Sequence, residues 1–585
     1  MKKKQIVAIL CSLSLAVSMM ACSSSSSTES GESSSSESTQ TASEDGDTSS
    51  EADAGEDASA AVAASVGAVN IYDLMDPANI DTSRKSTYNS DETLPELTVY
   101  TKAEITTWAP WQPGQGRNGL IELIYEPLFY TQYTEDGFNL EPCLAKDWYD
   151  EDETHMVVEI YDYIHDSDGN NITAEDVVAA YEILIESGNY TDFDYFESVE
   201  AIDDYTVRFT WTKEIDSITA LGSMMGTLIY SQQAYADHDF TTDPVGTGTY
   251  EPTELVTGTK YVVEPTDYWQ TDESVRTDES IQNVDVFTTE VINDNSVAYI
   301  AFEEGSIYQI SPSTVQLTDF LEGGKYYGEY TLSYQYSTGV YGLGFNLSGE
   351  STVSDDLNLR LAIAYAIDGE GIVEAIGSTD HAAVHAEASS SIIGYQDVWD
   401  SMENYYSVYD VDLAKEYLAE SNYNGETLHI IMRSGREAND TAVQIIQQEL
   451  NEIGVTVQID AYEDAIVNSY LYDATCWDMY FYIANGDPIS QLWSRLEDLD
   501  NFSHGYTATG VNDPVLQEMI DNVQTVDGFT DENIQEIQQY FTDNCMLYSI
   551  WSNVSWNVYQ PNIARICTLN GHDRIFYTAS DYYLD

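Results

Sequence analysis

The chain reads as a mixed α/β protein, and three segments carry that reading. Thr427–Arg433 (TLHIIMR) has the continuous apolar run of a buried strand. Asp440–Ile453 (DTAVQIIQQELNEI) places Val443, Ile446, Leu450 and Ile453 on one helical face, and Gly454 follows as a stop signal. Val455–Tyr462 (VTVQIDAY) is again strand-like. A strand–helix–strand run predicts parallel pairing through a right-handed crossover, and open α/β sheets bind ligands at the carboxyl ends of their strands. Earlier in the chain, Leu97–Tyr100 predicts a strand and Gly119–Tyr125 (GLIELIY) a helix. Val199–Trp211 (VEAIDDYTVRFTW) predicts a hairpin turning at Asp203-Asp204.

The N-terminus has the layout of an export signal. Lys2, Lys3 and Lys4 precede an apolar stretch, Ile6–Met20, that is interrupted by Cys11 and three serines and is too short for a comfortable membrane span. Met19-Met20-Ala21-Cys22 resembles the lipobox of bacterial lipoproteins, in which the cysteine is lipidated and becomes the new N-terminus; Met19 stands where leucine is usual. Residues 1–21 are therefore expected to be removed and Cys22 to carry lipid; ordinary cleavage near Ala21, leaving a free thiol, is the alternative. Residues 22–66 are Ser/Thr/Ala/acidic low complexity, without the apolar side chains that would offset the entropy of ordering, and read as a flexible tether. The expected location is the outer face of the cytoplasmic membrane.

Composition narrows the function classes. Beyond signal and tether about 500 residues remain, enough for two or three core-forming units. The 585-residue chain has 102 Asp+Glu against 20 Lys+Arg, a formal net charge of −82. That field argues against nucleic acid and anionic lipid as partners and would attract cationic solutes, although surface acidity also serves solubility alone. Cys143, Cys476, Cys545 and Cys567 are scattered singly, with no C-x-x-C, and are expected to be mostly buried free thiols. The 45 tyrosines and 10 tryptophans are spread throughout, most of them for packing and some for a cleft.

Enzyme signatures are missing from the sequence: there is no G-x-S-x-G, H-E-x-x-H, P-loop or G-x-G-x-x-G, so neither an enzyme nor a cofactor is expected. His165–Asp176 (HDSDGNNITAED) has the look of a calcium loop, but with Gly169 at the sixth position the first ligand position falls on Ile164, which offers no carboxylate. His381 and His385, with Glu387 nearby, are spaced to share a metal on a helix. The surrounding GSTDHAAVHAEASSS is rich in small and loop-favouring residues, and a surface loop is expected there instead.

Several segments, in order, resemble the extracytoplasmic solute-binding proteins of ABC importers, family 5, the group of oligopeptide-, dipeptide- and nickel-binding proteins. They are IYEPLFY with EPCLAKDW (Glu141–Trp148), DSDGNNITAEDVVAAY (Asp166–Tyr181) with Thr173 as N-cap, VEAIDDYTVRF, the glycine loop PVGTGTY (Pro244–Tyr250), Tyr268-Trp269 and RLAIAYAID (Arg360–Asp368). The resemblance implies a bilobed periplasmic-binding-protein-like α/β fold (type II, Venus-flytrap) with an extra small domain. Lobe I would comprise 95–145, 201–305 and 546–585, the small inserted domain 146–200, and lobe II 306–545. It further implies a small solute held between the lobes without chemistry, a monomer, and ABC permease subunits as partners.

In peptide-binding members an aspartate near the end of one strand pairs with the peptide's α-amine. The matching stretch here is FYIANGDP (Phe481–Pro488), where alignment on the final Asp-Pro puts Ala484 at that position. Asp487, beside Asn485, is the candidate substitute if the register slips. Peptides are the leading ligand. An oligosaccharide or other organic solute is the alternative, because Trp108, Trp111, Tyr341, Tyr482 and Trp493 fall where aromatic rings could face the cleft; ordinary packing is the competing role for each. A surface hydrolase is the third possibility.

Overall fold

A computed structural model describes residues 69–70 and 95–560, apart from internal segments of which 113–119, 189–195, 213–217, 270–281 and 498–507 are the longest. Cys22, Asp487, Cys567, Tyr268, the proposed signal and tether up to residue 66, and the tail from 561 lie outside the described residues.

The elements that position the site run as follows. Strand β1 (Leu97–Thr101) is followed by β2 (Ala145–Asp152), β3 (His155–Ile160), helix α1 (Ala174–Ser187), β4 (Phe196–Asp203) and β5 (Thr206–Trp211). The chain then makes β6 (Tyr250–Val256), β7 (Lys260–Pro265) and β8 (Phe287–Val291). Strand β8 lies parallel to β1, closing a four-stranded sheet in the order β6-β7-β8-β1. A second four-stranded sheet, β2-β3-β5-β4, is antiparallel throughout. It contains the expected hairpin, and it extends to Trp211, past the boundary at 200 drawn for the insert.

The largest sheet is built later, from β9 (Gln309–Ile310), β10 (Thr331–Phe345), β11 (His381–Ala383), β12 (Thr427–Arg433), α2 (Glu437–Ile453), β13 (Thr456–Tyr462), α3 (Asp464–Leu471), β14 (Met479–Ala484), α4 (Ile489–Glu497), α5 (Asp531–Asn544) and β15 (Leu547–Tyr559). Its order is β9-β15-β10-β14-β12-β13, with Val69–Asn70 added to β10 and β11 added to β15. The expected parallel unit is present: β12 pairs in parallel with β13, from Thr427 opposite Thr456 to Arg433 opposite Tyr462. The helix between them starts at Glu437, three residues before the expected Asp440, buries Val443, Ile446, Leu450 and Ile453, and ends at Gly454 with φ 99°.

Strand β12 reads as uninterrupted apolar sequence because both faces are covered. Ile430 and Met432 pack on one side with Phe481 and Leu343, while Ile431 packs on the other with Tyr480 and Tyr482. Strand β15 reaches two cores: its last residue, Tyr559, packs with Leu97 and Tyr261, and Trp551 and Ile550 pack with Phe481. That strand pairs along β10 from Leu547 opposite Gly344 to Tyr559 opposite Thr331. The pairing joins segments some two hundred residues apart, which no local pattern encodes.

The glycine loop is fixed by close approach. A Cβ on Gly246 would lie 2.0 Å from the Ile124 carbonyl oxygen, and one on Gly248 would lie 2.2 Å from that of Leu123. The loop therefore threads directly over the Leu120–Ile124 helix, to which the Gly248 amide donates at 2.8 Å. The calcium-like segment is a turn. Asp166 accepts from the backbone amides of Asp168 and Asn170, and Asp176 closes the start of α1 by accepting from the amide and hydroxyl of Thr173. His238 joins this turn to the next loop, with Nε2 2.9 Å from Asp168 and Nδ1 2.8 Å from Asp243.

Two outcomes follow. Gly246→Ala should lower stability by about 2–4 kcal/mol, read as a fall in melting temperature, because backbone rather than a flexible side chain blocks the added methyl. The hydrogen bond to Asp243, assisted by that to Asp168, raises the His238 pKa. Its contribution to stability is thus complete below the unfolded value of about 6.5 and is lost as pH rises through the higher folded value. His238→Asn should remove that part of the pH dependence from thermal melts.

Candidate functional site

The carboxyl ends of β12 and β13 carry a pair of arginines that the sequence reading did not single out. Arg433 is the last residue of β12 and Arg436 is the N-cap of α2, whose first turn receives no side-chain cap. Both reach Asp464, the first residue of α3: Arg433 Nη1 at 3.4 Å and Arg436 Nη2 at 3.3 Å. Arg433 is held in place, since Nη2 donates to Asn468 Oδ1 at 3.0 Å and Nε to the Tyr480 hydroxyl at 3.3 Å. Two guanidiniums share a single exposed carboxylate, with Glu437 and Asp440 in the first turn of α2 and Glu463 at the start of α3 nearby in sequence. A fixed guanidinium fork matches carboxylates and phosphates bidentately. The signal available in the sequence was R-S-G-R directly after a predicted parallel strand.

Strand β14 runs beside β12 in parallel and ends at Ala484. Asn485 follows, exposed, with its amide over the backbone of β10: a Cβ on Gly339 would lie 2.0 Å from Asn485 Oδ1. Gly486 is similarly tight against α4, where a Cβ would meet the Leu492 amide nitrogen at 2.5 Å. Asn485 thus lies at the same end of the sheet as Arg433.

The predicted aromatics are dispersed. Trp108 is 3% exposed and packs edge-on against Tyr261 in the core around β1 and β7. Trp111 is half-buried among Tyr230, Tyr235 and Phe240. Trp493, in the middle of α4, is fully buried against Trp399 and Phe541. Tyr341 is partly buried, stacks on Trp551 at 4.9 Å and accepts a hydrogen bond from Asn553 Nδ2 at 3.0 Å. Tyr482 is 1% exposed, on the opposite face of the sheet from the Trp551 stack.

Around Tyr482 lies a buried polar group. Its hydroxyl is 2.6 Å from Ser549 Oγ, which donates to Glu387 Oε2 at 2.9 Å; Tyr482 itself reaches Oε2 at 3.5 Å. Gly342 makes room, because a Cβ there would sit 2.8 Å from the Tyr482 hydroxyl. Glu387 is 0% exposed, and its Oε1 has no hydrogen-bond partner among the described residues. Burial pushes its pKa up to about 7, against the opposing effect of the hydroxyls of Tyr406, Ser549 and Tyr482. The expectation of a surface loop is corrected here. His381 lies in β11, paired with β15, and the segment after it turns inward; the small side chains of Ala386, Ala388 and Ser389 permit packing rather than marking solvent exposure. The cysteines also differ from expectation: Cys545 is buried, but Cys143 and Cys476 are only partly so.

The architecture is that of the bilobed periplasmic-binding-type proteins. HbpA2 from Haemophilus parasuis superposes with a TM-score of 0.68 at 18% identity, over 83% of this chain and 99% of that one. In sequence, heme-binding protein A of Haemophilus influenzae is 24% identical over 388 residues, covering 60% of this chain and 66% of that protein. Oligopeptide-binding protein OppA of Bacillus subtilis is 23% identical over 443 residues, covering 70% and 77%. The family model for bacterial extracellular solute-binding proteins, family 5, matches residues 139–501, and the chain belongs to that family. It is a solute-binding protein of the ABC-importer type.

Proposed function

We propose that the chain captures peptides for an ABC permease and recognises their free carboxylate through Arg433 and Arg436. The observation that carries this reading is the convergence of two guanidiniums on one exposed carboxylate, at the end of the sheet where open α/β folds bind ligands. A ligand carboxylate could displace or bridge Asp464 and gain charge-assisted bonds from donors already oriented by Tyr480 and Asn468. The similarity to an oligopeptide-binding protein agrees with this class. The burial of Trp108, Tyr482 and Trp493 takes away most of the ring faces on which a sugar would stack. The lobes close on the peptide by hinge motion and no bond in it is broken. The domain acts as a monomer tied to the membrane by lipid on Cys22, with residues 22–66 as its tether.

The test uses tri-alanine and its C-terminal amide in calorimetric titrations. The free acid should bind at least tenfold more tightly. Arg433→Gln should weaken the acid by about 10- to 100-fold, the cost of a charge-assisted bond of about 1.5–3 kcal/mol, and leave the amide unchanged. Equal affinity for acid and amide would reject the carboxylate reading. For the anchor, Cys22→Ala should move the protein from the membrane fraction to the medium.

A further inference from the structure

The Glu387 cluster is not needed to hold a ligand, and its geometry gives it a different use. The segment after β11 meets three other elements at this one side chain. Its backbone amide donates to Gln538 Oε1 of α5 at 3.2 Å, and its Oε2 takes Ser549 of β15 and Tyr482 of β14. We propose that Glu387 is a proton-operated latch: neutral, it holds the 384–389 segment against β14, and on losing its proton it releases the end of β14 that leads to Asn485.

The reason is the company that Glu387 keeps. The titratable side chains around it are Tyr405 and Tyr406, Tyr482 on β14, Cys545 at the end of α5 and Tyr548 at the start of β15; His385 precedes it on its own segment. Burial drives the ionisation of Tyr405, Tyr406, Cys545 and Tyr548 upward, so these stay neutral and none supplies a positive charge. Arg360, the buried arginine of this lobe, is committed to the backbone carbonyls of Asn544, Cys545, Val353 and Ser354. Glu387 Oε1 has no hydrogen-bond partner among the described residues. An ionised carboxylate in this compartment would have the hydroxyls of Tyr406, Ser549 and Tyr482 but no lysine or arginine beside it among the described residues, and at 0% exposure it is sealed from bulk solvent. A proton is small enough to neutralise it in place. Without the proton, the segment relieves the charge by swinging Glu387 toward solvent, and Tyr482, two residues before β14 ends, keeps Ser549 but loses its contact with the carboxyl.

The sign is set by the raised pKa. The neutral form is favoured in the folded state, so stability is highest near pH 4.5, falls as pH rises toward 7, and levels off above that. Glu449, whose pKa burial also raises to about 7, titrates in the same window, so the measurement must isolate Glu387 by substitution.

The experiment is hydrogen exchange on the full chain without ligand at pH 6, 7 and 8, corrected for intrinsic rates. The wild type should gain exchange over 384–389 and 479–486 as pH rises, and Glu387→Gln should show no gain. In melts the Gln variant should become progressively more stable than wild type between pH 4.5 and 7, with a constant gap above. Tyr482→Phe keeps the acid but removes one donor to its anion, so the midpoint of the exchange transition should move to higher pH. An unchanged profile in the Gln variant, or no gain in the wild type, would overturn the latch. If the Gln variant does not fold, an unshifted midpoint in Tyr482→Phe does so instead. The link to ligand affinity rests on the site proposed above; because the exchange readout uses no ligand, the two readings fail separately.

Discussion

The pairing of β10 with β15 is the constraint on which the large sheet depends. Thr331–Phe345 runs antiparallel against Leu547–Tyr559 for nearly its whole length. Everything else in the large sheet attaches to this ribbon. Strands β14, β12 and β13 extend from one side, β9 and β11 join β15, and Val69–Asn70 adds to β10. One strand beyond the ribbon, at β14, the sheet changes from antiparallel pairing with β10 to parallel pairing with β12. The parallel half presents its carboxyl ends together, and Arg433, Asn485 and the start of α3 meet there.

Register along the ribbon decides which side chains share a compartment. The shift between Tyr341 and Gly342 puts Trp551 on the same face as Phe481 and leaves Ser549 with Tyr482 on the other. Tyr341 and Trp551 can then stack on one face, while Gly342, without a side chain, lets the Tyr482 phenol cross to Ser549 and Glu387 on the other. A single glycine and a single irregularity thus separate an apolar stack from a polar cluster.

Local structure was legible in the sequence wherever one pattern fixed it. The β12–α2–β13 unit appears with its strands paired as read, because both-face burial and helical periodicity leave strong local traces. The hairpin ending at Trp211 and the capped turn before α1 were legible for the same reason. What failed was non-local. The partner of β15 could not be read from residues 547–559, and the small residues around His381 suggested solvent when they allow close packing. The site was legible only in part. Aromatic residues were chosen for their chemistry, but Tyr482 and Trp493 point into cores, a property of register and helical phase rather than residue type. Arg433 and Arg436 were passed over because a basic pair has no pattern of its own; its meaning comes from Asp464, some thirty residues on.

The position of β15 in the chain also bears on how this protein can be made. A polypeptide that emerges N-terminus first lacks one half of its central ribbon until residue 559 is out, because β15 is the last described strand. Until then β10 has an open edge, and the tyrosines of the later compartment have no lid. The large sheet must therefore complete itself late and through distant contacts, which makes its assembly slow. Slowness of that kind leaves the edge of β10 open for longer, a hazard if it meets another chain first.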